Sequence, residues 1–280
     1  MKDFEQIRYV EEDHVARIIL DRPNYRNAQS RKLLEEMDEA FDLAVDNRKI
    51  RMIVLSGEGH SFSAGHDLGT PENVADQESR PYEEGMRGIY KRSTAQNVTN
   101  TLRWRNIPKP TMAIVQGYCI FGGWMIASAM DLIFAADDAM FLGTNFQYFS
   151  PPWDIHPRKV KEIFFESRFI DGKEAHELGL VNRVYPQETL EKEAMAYAHR
   201  VAENDEFQLR LIKLAVNRAQ DNQGFTEHIN DAHLLHLLSS QAEKDPDFAL
   251  QKPDMRRRPM VQRAVENYEL HKKANSQKEE

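Results

Sequence analysis

Two glycine-bearing turns carry the residues of this sequence that could do chemistry. Gly122 and Gly123 follow an apolar run at residues 111–115 and precede a helix predicted over residues 124–130. The first N–H groups of a helix lack acceptors within it and lie at the positive end of its dipole. A second turn, residues 57–69, follows another apolar run at residues 52–56, so a second strand–turn–helix unit is predicted there. Either turn alone is typical of ordinary buried structure, but two such turns could present N–H groups to one oxygen atom and stabilise charge that develops on it.

The elements that must position these turns can be read from hydrophobic patterning. Both apolar runs lack polar alternation, which predicts strands buried on both faces in a largely parallel sheet. Residues 7–10 and 15–20 predict a hairpin, and Ser30 is a suitable N-cap for the helix that follows. Apolar positions on one face of that helix are Leu33, Leu34, Met37, Phe41 and Val45. Further helices are predicted near residues 173–177, 191–202, 207–219, 226–240 and 261–273, with a strand at 181–184.

Composition limits the classes of function. The 280-residue chain has a net charge of −8 and a pI near 5.7, which argues against a nucleic-acid partner. No apolar run approaches the length of a membrane span, and the N-terminus has no secretory-type apolar segment. A single cysteine, Cys119, excludes an internal disulfide and suits a reducing compartment. We therefore expect a cytoplasmic protein, with no membrane partner and no metal site.

The motifs FSAGHDL, KPTMAIVQGY, GGW and DLIFAADDAMF occur in this order and resemble the enoyl-CoA hydratase/isomerase, or crotonase, superfamily. The resemblance begins near Arg22-Pro23 and covers most of the first 190 residues. It implies an α/β fold with a crotonase-type ββα spiral core over residues 1–200. It also implies a C-terminal helical region, 201–280, that packs the chain into a homotrimer or a dimer of trimers. The implied substrate is an acyl-CoA, and no cofactor is expected beyond the coenzyme A that the substrate carries.

The resemblance also assigns residues. The two oxyanion donors would be the backbone N–H groups of His66 and Gly122, while the role of the His66 imidazole stays open. Asp67 is expected to cap or brace its turn, and Arg26 to lie with its neighbours at the adenine-phosphate end of CoA. Candidate substrate-binding residues are Arg26, Ala28, Ala64, Asp67, Leu68, Gly123, Met125, Asn145, Tyr148 and Trp153.

The sequence departs from the hydratase pattern at two positions. Hydratases of this family use two glutamates to hold and polarise a water molecule, and the corresponding positions here are Met125 and Asn145. Methionine cannot transfer a proton, and asparagine can hold water but is no base. The resemblance therefore argues against hydration by a paired-glutamate mechanism.

Asp154 is the first carboxylate after the vacated position at Asn145. In several relatives a carboxylate from roughly this loop is the base or nucleophile, and the neighbours Pro152, Trp153 and Ile155 could desolvate Asp154 and raise its pKa. Alternatively, Asp154 caps a helix that begins near Pro157, and the residues do not decide between the two roles. Tyr148 and His156 are second-line candidates.

Residues 69–105 form a long polar segment followed by a helical pattern, and either a mobile lid over the acyl pocket or an inert insertion would fit. The predicted function is transformation of an acyl-CoA through an enolate-like or tetrahedral oxyanion, with hydration or isomerisation of an enoyl-CoA as the family-level activity. Hydrolysis or C–C cleavage of a β-oxo or cyclic acyl-CoA is the close alternative. A non-catalytic CoA-thioester-binding protein is the alternative from another class. A serine hydrolase is not indicated, because no G-x-S-x-G motif follows a strand.

Overall fold

A six-stranded sheet forms the centre of the molecule, in a computed structural model that describes residues 3–143, 147–243 and 259–276. The strands are β1 Ile7–Glu12, β2 Val15–Leu20, β3 Met52–Gly57, β4 Thr111–Val115, β5 Tyr118–Ile120, β6 Leu132–Ala136, β7 Met140–Leu142, β8 Ile170–Asp171 and β9 Arg183–Tyr185. The main sheet has the order β1-β2-β3-β4-β6-β9, and a second sheet has the order β5-β7-β8. In the main sheet β1 and β2 are antiparallel, and every later pair is parallel.

The helices cover the faces and one end of these sheets. They are α1 Arg31–Asp46, α2 Pro71–Ser79, α3 Gly85–Ser93, α4 Asn100–Arg105, α5 Gly122–Ser128, α6 Pro151–Asp154, α7 Pro157–Glu166, α8 Gly172–Glu177, α9 Gln187–Ala202, α10 Glu206–Asp221, α11 Phe225–Gln241 and α12 Pro259–Ser276. A π-helical segment, Thr94–Thr99, joins α3 to α4. Ser30 caps α1 as predicted, because its side chain accepts a hydrogen bond from the Leu33 N–H at 3.0 Å.

The chain alternates between the two sheets in the way that a ββα spiral requires. After β4 in the main sheet it enters β5 in the second sheet, then α5, and returns to the main sheet as β6. Isolated bridges from Ser61 to Gly117 and from Ser63 to Cys119 join the preceding repeat to the second sheet in the same manner. The predicted fold class, α/β with a crotonase-type spiral core and a C-terminal helical region, is confirmed.

The buried parallel strands and the hairpin are confirmed. Every residue of β4 is buried between β3 and β6, which explains why its sequence shows no alternation. In the hairpin turn Asp13 adopts a left-handed φ of 53°. The predicted C-terminal helices are also present, with ends that differ by a few residues.

Two sequence predictions need correction. Helix α5 begins at Gly122 rather than Trp124, so its first N–H belongs to the turn glycine itself. The predicted strand–turn–helix unit around residues 57–69 is present, since β3 precedes the turn and Thr70 caps α2, which begins at Pro71. His66 lies before this cap, so its N–H is oriented by contacts of the turn and not by the dipole of α2. The last strand of the main sheet lies at Arg183–Tyr185, two residues after its predicted start.

Segment 69–105 is helical along most of its length and is tied to α1. Arg31 on α1 forms an ion pair with Asp76 on α2 at 2.6 Å, and its guanidinium lies 4.3 Å from the ring centre of Tyr82. The polar sequence of this segment thus forms short helices held against the core. Among the described residues, no helix is both long and apolar enough to cross a membrane.

Candidate active site

The turn over residues 57–69 lies against β5. The Ser63 N–H donates to the carbonyl of Tyr118 at 3.0 Å, and the Ile120 N–H donates to the carbonyl of Ser63 at 2.9 Å. These bonds continue the strand pairing of the second sheet into the turn. They bring the AGHD sequence beside the start of α5.

Gln29 orients the backbone of His66. The Gln29 N–H donates to the Gly65 carbonyl at 2.8 Å, and the Asp67 N–H donates to the Gln29 carbonyl at 3.0 Å. In this parallel bridge the peptide groups on both sides of His66 face Gln29, so the His66 N–H points to the opposite side. That N–H donates to no acceptor within the described residues.

The second N–H, that of Gly122, lies beside the first turn. A Cβ atom added to Gly65 would stand 3.1 Å from the Gly122 nitrogen, and Gly65 has a φ of +88° that side-chain-bearing residues rarely adopt. A Cβ atom at Gly122 would lie 2.5 Å from Oε1 of Gln29 and 3.0 Å from Cε1 of His66. No described residue accepts a hydrogen bond from the Gly122 N–H either. Within the described residues, the turn that carries the His66 N–H and the first N–H of α5 thus lie side by side, and neither N–H has an acceptor.

Phe121 sets the direction of this helix start. It has φ 48° and ψ −107°, an unfavourable conformation for a bulky residue. Its N–H donates to the carbonyl of Leu142 at 2.8 Å, which holds the residue against β7. Strain of this kind persists only where surrounding contacts fix it, and here it aims the peptide of Gly122.

Asp67 braces the turn, as the sequence predicts. One carboxylate oxygen accepts the N–H groups of Gly69 and Thr70 at 3.0 and 2.9 Å, and the other accepts from buried Arg22 at 2.8 Å. Burial opposes ionisation of Asp67, but these hydrogen bonds together hold its pKa below the usual value. Arg22 also pairs with Glu72 at 2.8 Å, so the network joins the turn to α2.

The His66 imidazole is half-buried and lies against Gly122. Its Nε2 is 3.1 Å from Oε1 of Gln147. Burial lowers the pKa of His66, and the hydrogen bond to Gln147 offsets only part of that effect. The ring is accordingly neutral at pH 7 and stands next to the backbone donors.

Met125 lies one turn into α5 from Gly122, at the centre of a buried apolar cluster. The other fully buried members are Val98, Tyr148, Phe225 and Ile229, from the π-helical segment, the chain before α6, and α11. Both segment 69–105 and the C-terminal region thus contribute to the cluster that contains Met125, where the family resemblance places a catalytic glutamate.

Asp154 ends the short helix α6, next to Trp153 of this cluster. Its side chain is exposed to solvent, yet the surrounding protein displaces enough water to raise its pKa to about 7, with Arg105 opposing the shift. Solvent exposure measures how far water reaches the Asp154 side chain, whereas its pKa also depends on how much protein surrounds it. Water that reaches the exposed carboxylate screens part of its charge.

Asp154 does not cap α7, so that alternative is wrong. The cap is His156, whose Nδ1 accepts a hydrogen bond from the Arg158 N–H at 3.3 Å. Among the described residues the Asp154 carboxylate has neither a hydrogen bond nor an ion pair. His156 is thereby assigned a structural role.

Comparison with known proteins agrees with this geometry. Residues 10–248 match the profile of the Enoyl-CoA hydratase/isomerase family. This chain belongs to that family. It is 34% identical over 259 residues to EchA13 of Mycobacterium tuberculosis, named as an enoyl-CoA hydratase, a match that covers 85% of this chain and 81% of EchA13.

Solved structures of the hydratase/isomerase family show the same architecture. A probable enoyl-CoA hydratase from Mycobacterium smegmatis is 37% identical with a TM-score of 0.76, covering 83% of this chain and 93% of that one. An enoyl-CoA hydratase/isomerase from Xanthobacter autotrophicus Py2 is 30% identical with a TM-score of 0.77, covering 88% and 90% of the two chains. The protein is thus an enzyme of the hydratase/isomerase family.

Of the residues that the family resemblance places near CoA, Arg26 and Ala64 lie next to each other. The Ala64 N–H donates to the carbonyl of Arg26 at 2.9 Å, and Arg26 is exposed with a left-handed φ of 51°. Ala28 is half-buried, and Leu68 is 66% exposed. Gly123 is buried inside the start of α5. The remaining candidate, Asn145, lies outside the described residues.

Several site residues of this hydratase/isomerase-family protein had no signal in the sequence. Gln29 orients His66, Gln147 bonds its imidazole, and Phe225 reaches the cluster from α11. Each acts across a long sequence separation and belongs to no local pattern. The positive φ of Phe121 could not be predicted from the sequence either, because phenylalanine rarely adopts such a conformation.

Proposed function

We propose that this protein transforms an acyl-CoA thioester whose carbonyl oxygen is bound by the backbone N–H groups of His66 and Gly122. The observation that carries the proposal is the meeting of two unpaired N–H donors, one from the AGHD turn and one from the first residue of α5. Two such donors stabilise negative charge on a carbonyl oxygen far better than they stabilise the neutral carbonyl. An enolate-like or tetrahedral intermediate would gain most from them.

Proton transfer is assigned to Asp154. Met125 occupies the buried position next to the donors and has no transferable proton, so the water-holding pair of a standard hydratase is not expected here. Asp154 has an unpaired carboxylate and a pKa near 7, which suits a base that works at neutral pH. Supporting this, Trp153 next to it packs in the same cluster as Met125.

The type of reaction that the acyl-CoA undergoes is also proposed. Hydration or isomerisation of an enoyl-CoA is the family-level activity, and the absence of a glutamate at position 125 favours hydrolysis or C–C cleavage of a β-oxo or cyclic acyl-CoA as the alternative. The unpaired carboxylate of Asp154, beside Trp153 and the cluster that holds Met125, supports an enzyme over a pure CoA-ester-binding protein. The proposed chemistry uses no cofactor beyond the coenzyme A that the substrate carries. At the CoA end, the exposed Arg26 is placed to pair with a phosphate.

The test is a panel of enoyl-, β-oxo- and cyclic acyl-CoA thioesters, with products identified by mass spectrometry. We expect one class to be converted, with the matching free acids unbound. Binding of the thioesters without conversion of any would support the non-catalytic alternative. Failure of every thioester to bind would overturn the proposal.

We also propose that the chain assembles into a homotrimer or a dimer of trimers. Apolar side chains on α10 and α11 are exposed in the single chain, and those more than half exposed are Phe207, Ile212, Val216, Leu234, Leu235 and Leu238. Apolar surface of this extent is a recognised mark of a protein–protein interface.

Sedimentation should therefore show a trimer or its multiple at micromolar concentration. Leu235→Glu should shift the distribution to smaller species, because it places a charge in the proposed interface. Val74→Glu, at an exposed apolar residue on α2, is the matched control and should leave the assembly intact. A folded, monomeric parent protein would contradict the proposal.

A further inference from the structure

Tyr148 carries a buried hydroxyl near the proposed site. The side chain is fully buried, and among the described residues its oxygen has no hydrogen-bond partner. Leaving a buried hydroxyl without a partner is unfavourable, and such groups in folded proteins call for an explanation. The hydroxyl of Ser150, two residues on, is buried and without a described partner as well.

The side chain of Tyr148 belongs to the same buried cluster as Met125. Its ring packs with Met125 of α5 and lies 6.2 Å from the ring of Phe225 in an edge-on arrangement. Burial raises the pKa of Tyr148 above its usual value, while Arg105 lowers it and Asp154 raises it further. The hydroxyl therefore lies within electrostatic reach of the Asp154 carboxylate and stays protonated at neutral pH.

Arg105 packs against the Phe225 ring of the same cluster. Its guanidinium lies 4.0 Å from the centre of the Phe225 ring and pairs with Asp221 at 3.2 Å. Its N–H groups are thus engaged by α10, which leaves the Tyr148 hydroxyl as a free donor of the cluster. The remaining buried members of the cluster, Val98, Phe225 and Ile229, are apolar and offer no acceptor side chain.

We infer that Tyr148 determines specificity by donating a hydrogen bond to an oxygen carried on the acyl chain, such as a keto or hydroxyl oxygen. A site with one hydrogen-bond donor in apolar surroundings binds an acyl chain without an acceptor oxygen more weakly, because the donor then stays unpaired. The inference rests on the proposed acyl-CoA function and deepens it. The site should therefore bind oxygenated acyl-CoAs more tightly than saturated acyl-CoAs of equal length.

The test compares dissociation constants of acetoacetyl-CoA, 3-hydroxybutyryl-CoA and butyryl-CoA for the parent protein and Tyr148→Phe. The parent should bind at least one oxygenated ester about tenfold more tightly than butyryl-CoA, as one net hydrogen bond would give. Tyr148→Phe should lose that preference and keep its affinity for butyryl-CoA. Equal affinities in the parent, or a preference that survives in Tyr148→Phe, would overturn the inference while leaving the proposed function intact. If no CoA ester binds, both fail.

Thermal unfolding without ligand gives a second readout. Tyr148→Phe should unfold at the same or a higher temperature than the parent, because it removes an unpaired buried hydroxyl. Tyr268→Phe is the matched control, since the Tyr268 hydroxyl donates to Asp171 at 2.8 Å and its loss should lower the unfolding temperature. A marked drop for Tyr148→Phe would show that its hydroxyl already has a partner, and would overturn the inference.

Discussion

Replacing Asp154 with asparagine should lower kcat by about 10²–10⁴, the range attributed to general acid–base catalysis. Asparagine keeps the size and hydrogen-bonding ability of the side chain and removes its basicity. Because the carboxylate holds no other described group through a hydrogen bond or ion pair, affinity for the CoA ester should stay nearly unchanged. The measurement is steady-state turnover of the best substrate of the panel, with binding measured separately.

The protonation state of Asp154 should also set how kcat/KM of the parent protein changes with pH. With a pKa of about 7, Asp154 is increasingly deprotonated as pH rises through neutrality, so kcat/KM of the parent should rise across that range. Asp154→Asn should lack this rise. Asp138→Asn, at an exposed carboxylate between β6 and β7, is the matched control and should retain it. If Asp154→Asn is as active as the parent, another group must transfer the proton, and His66 and Tyr148 become the candidates.

The second large effect is expected at Gly122. Gly122→Pro deletes the N–H and should reduce turnover by about 10²–10³, the loss typical of one oxyanion donor. Gly122→Ala is the paired variant because it keeps the N–H, although its Cβ must displace the Gln29 side chain, whose Oε1 would lie 2.5 Å away. The difference between the two variants isolates the donor from the steric change. A folded Gly122→Pro protein with the parent's activity would remove Gly122 from the mechanism.

Local features of the fold were predictable because their causes are local. The Ser30 cap, the buried strand β4 and the hairpin β1–β2 each follow from a few adjacent residues and their periodicity. The start of α5 was misplaced by two residues, since glycines at 122 and 123 do not favour a helix and tertiary contacts impose one there.

The candidate site was predictable only in part. The two turns could be located from their glycines, and their convergence from the family resemblance. The positions of Gln29 beside His66, of Phe225 over Tyr148 and of Gln147 beside the imidazole depend on how distant segments pack, which periodicity does not encode. The helix cap shows the same limit, because either Asp154 or His156 could supply it and only the geometry selects His156.

The carbonyl stretching frequency of a bound, isotope-labelled acyl-CoA thioester tests the central claim most directly. Two N–H donors that bind the carbonyl oxygen polarise the C=O bond and should lower its frequency relative to the ester in water. We expect that shift with the parent protein and a clearly smaller one with Gly122→Pro. A bound thioester whose carbonyl frequency matches that in water, in a protein that still converts it, would contradict the assignment of His66 and Gly122.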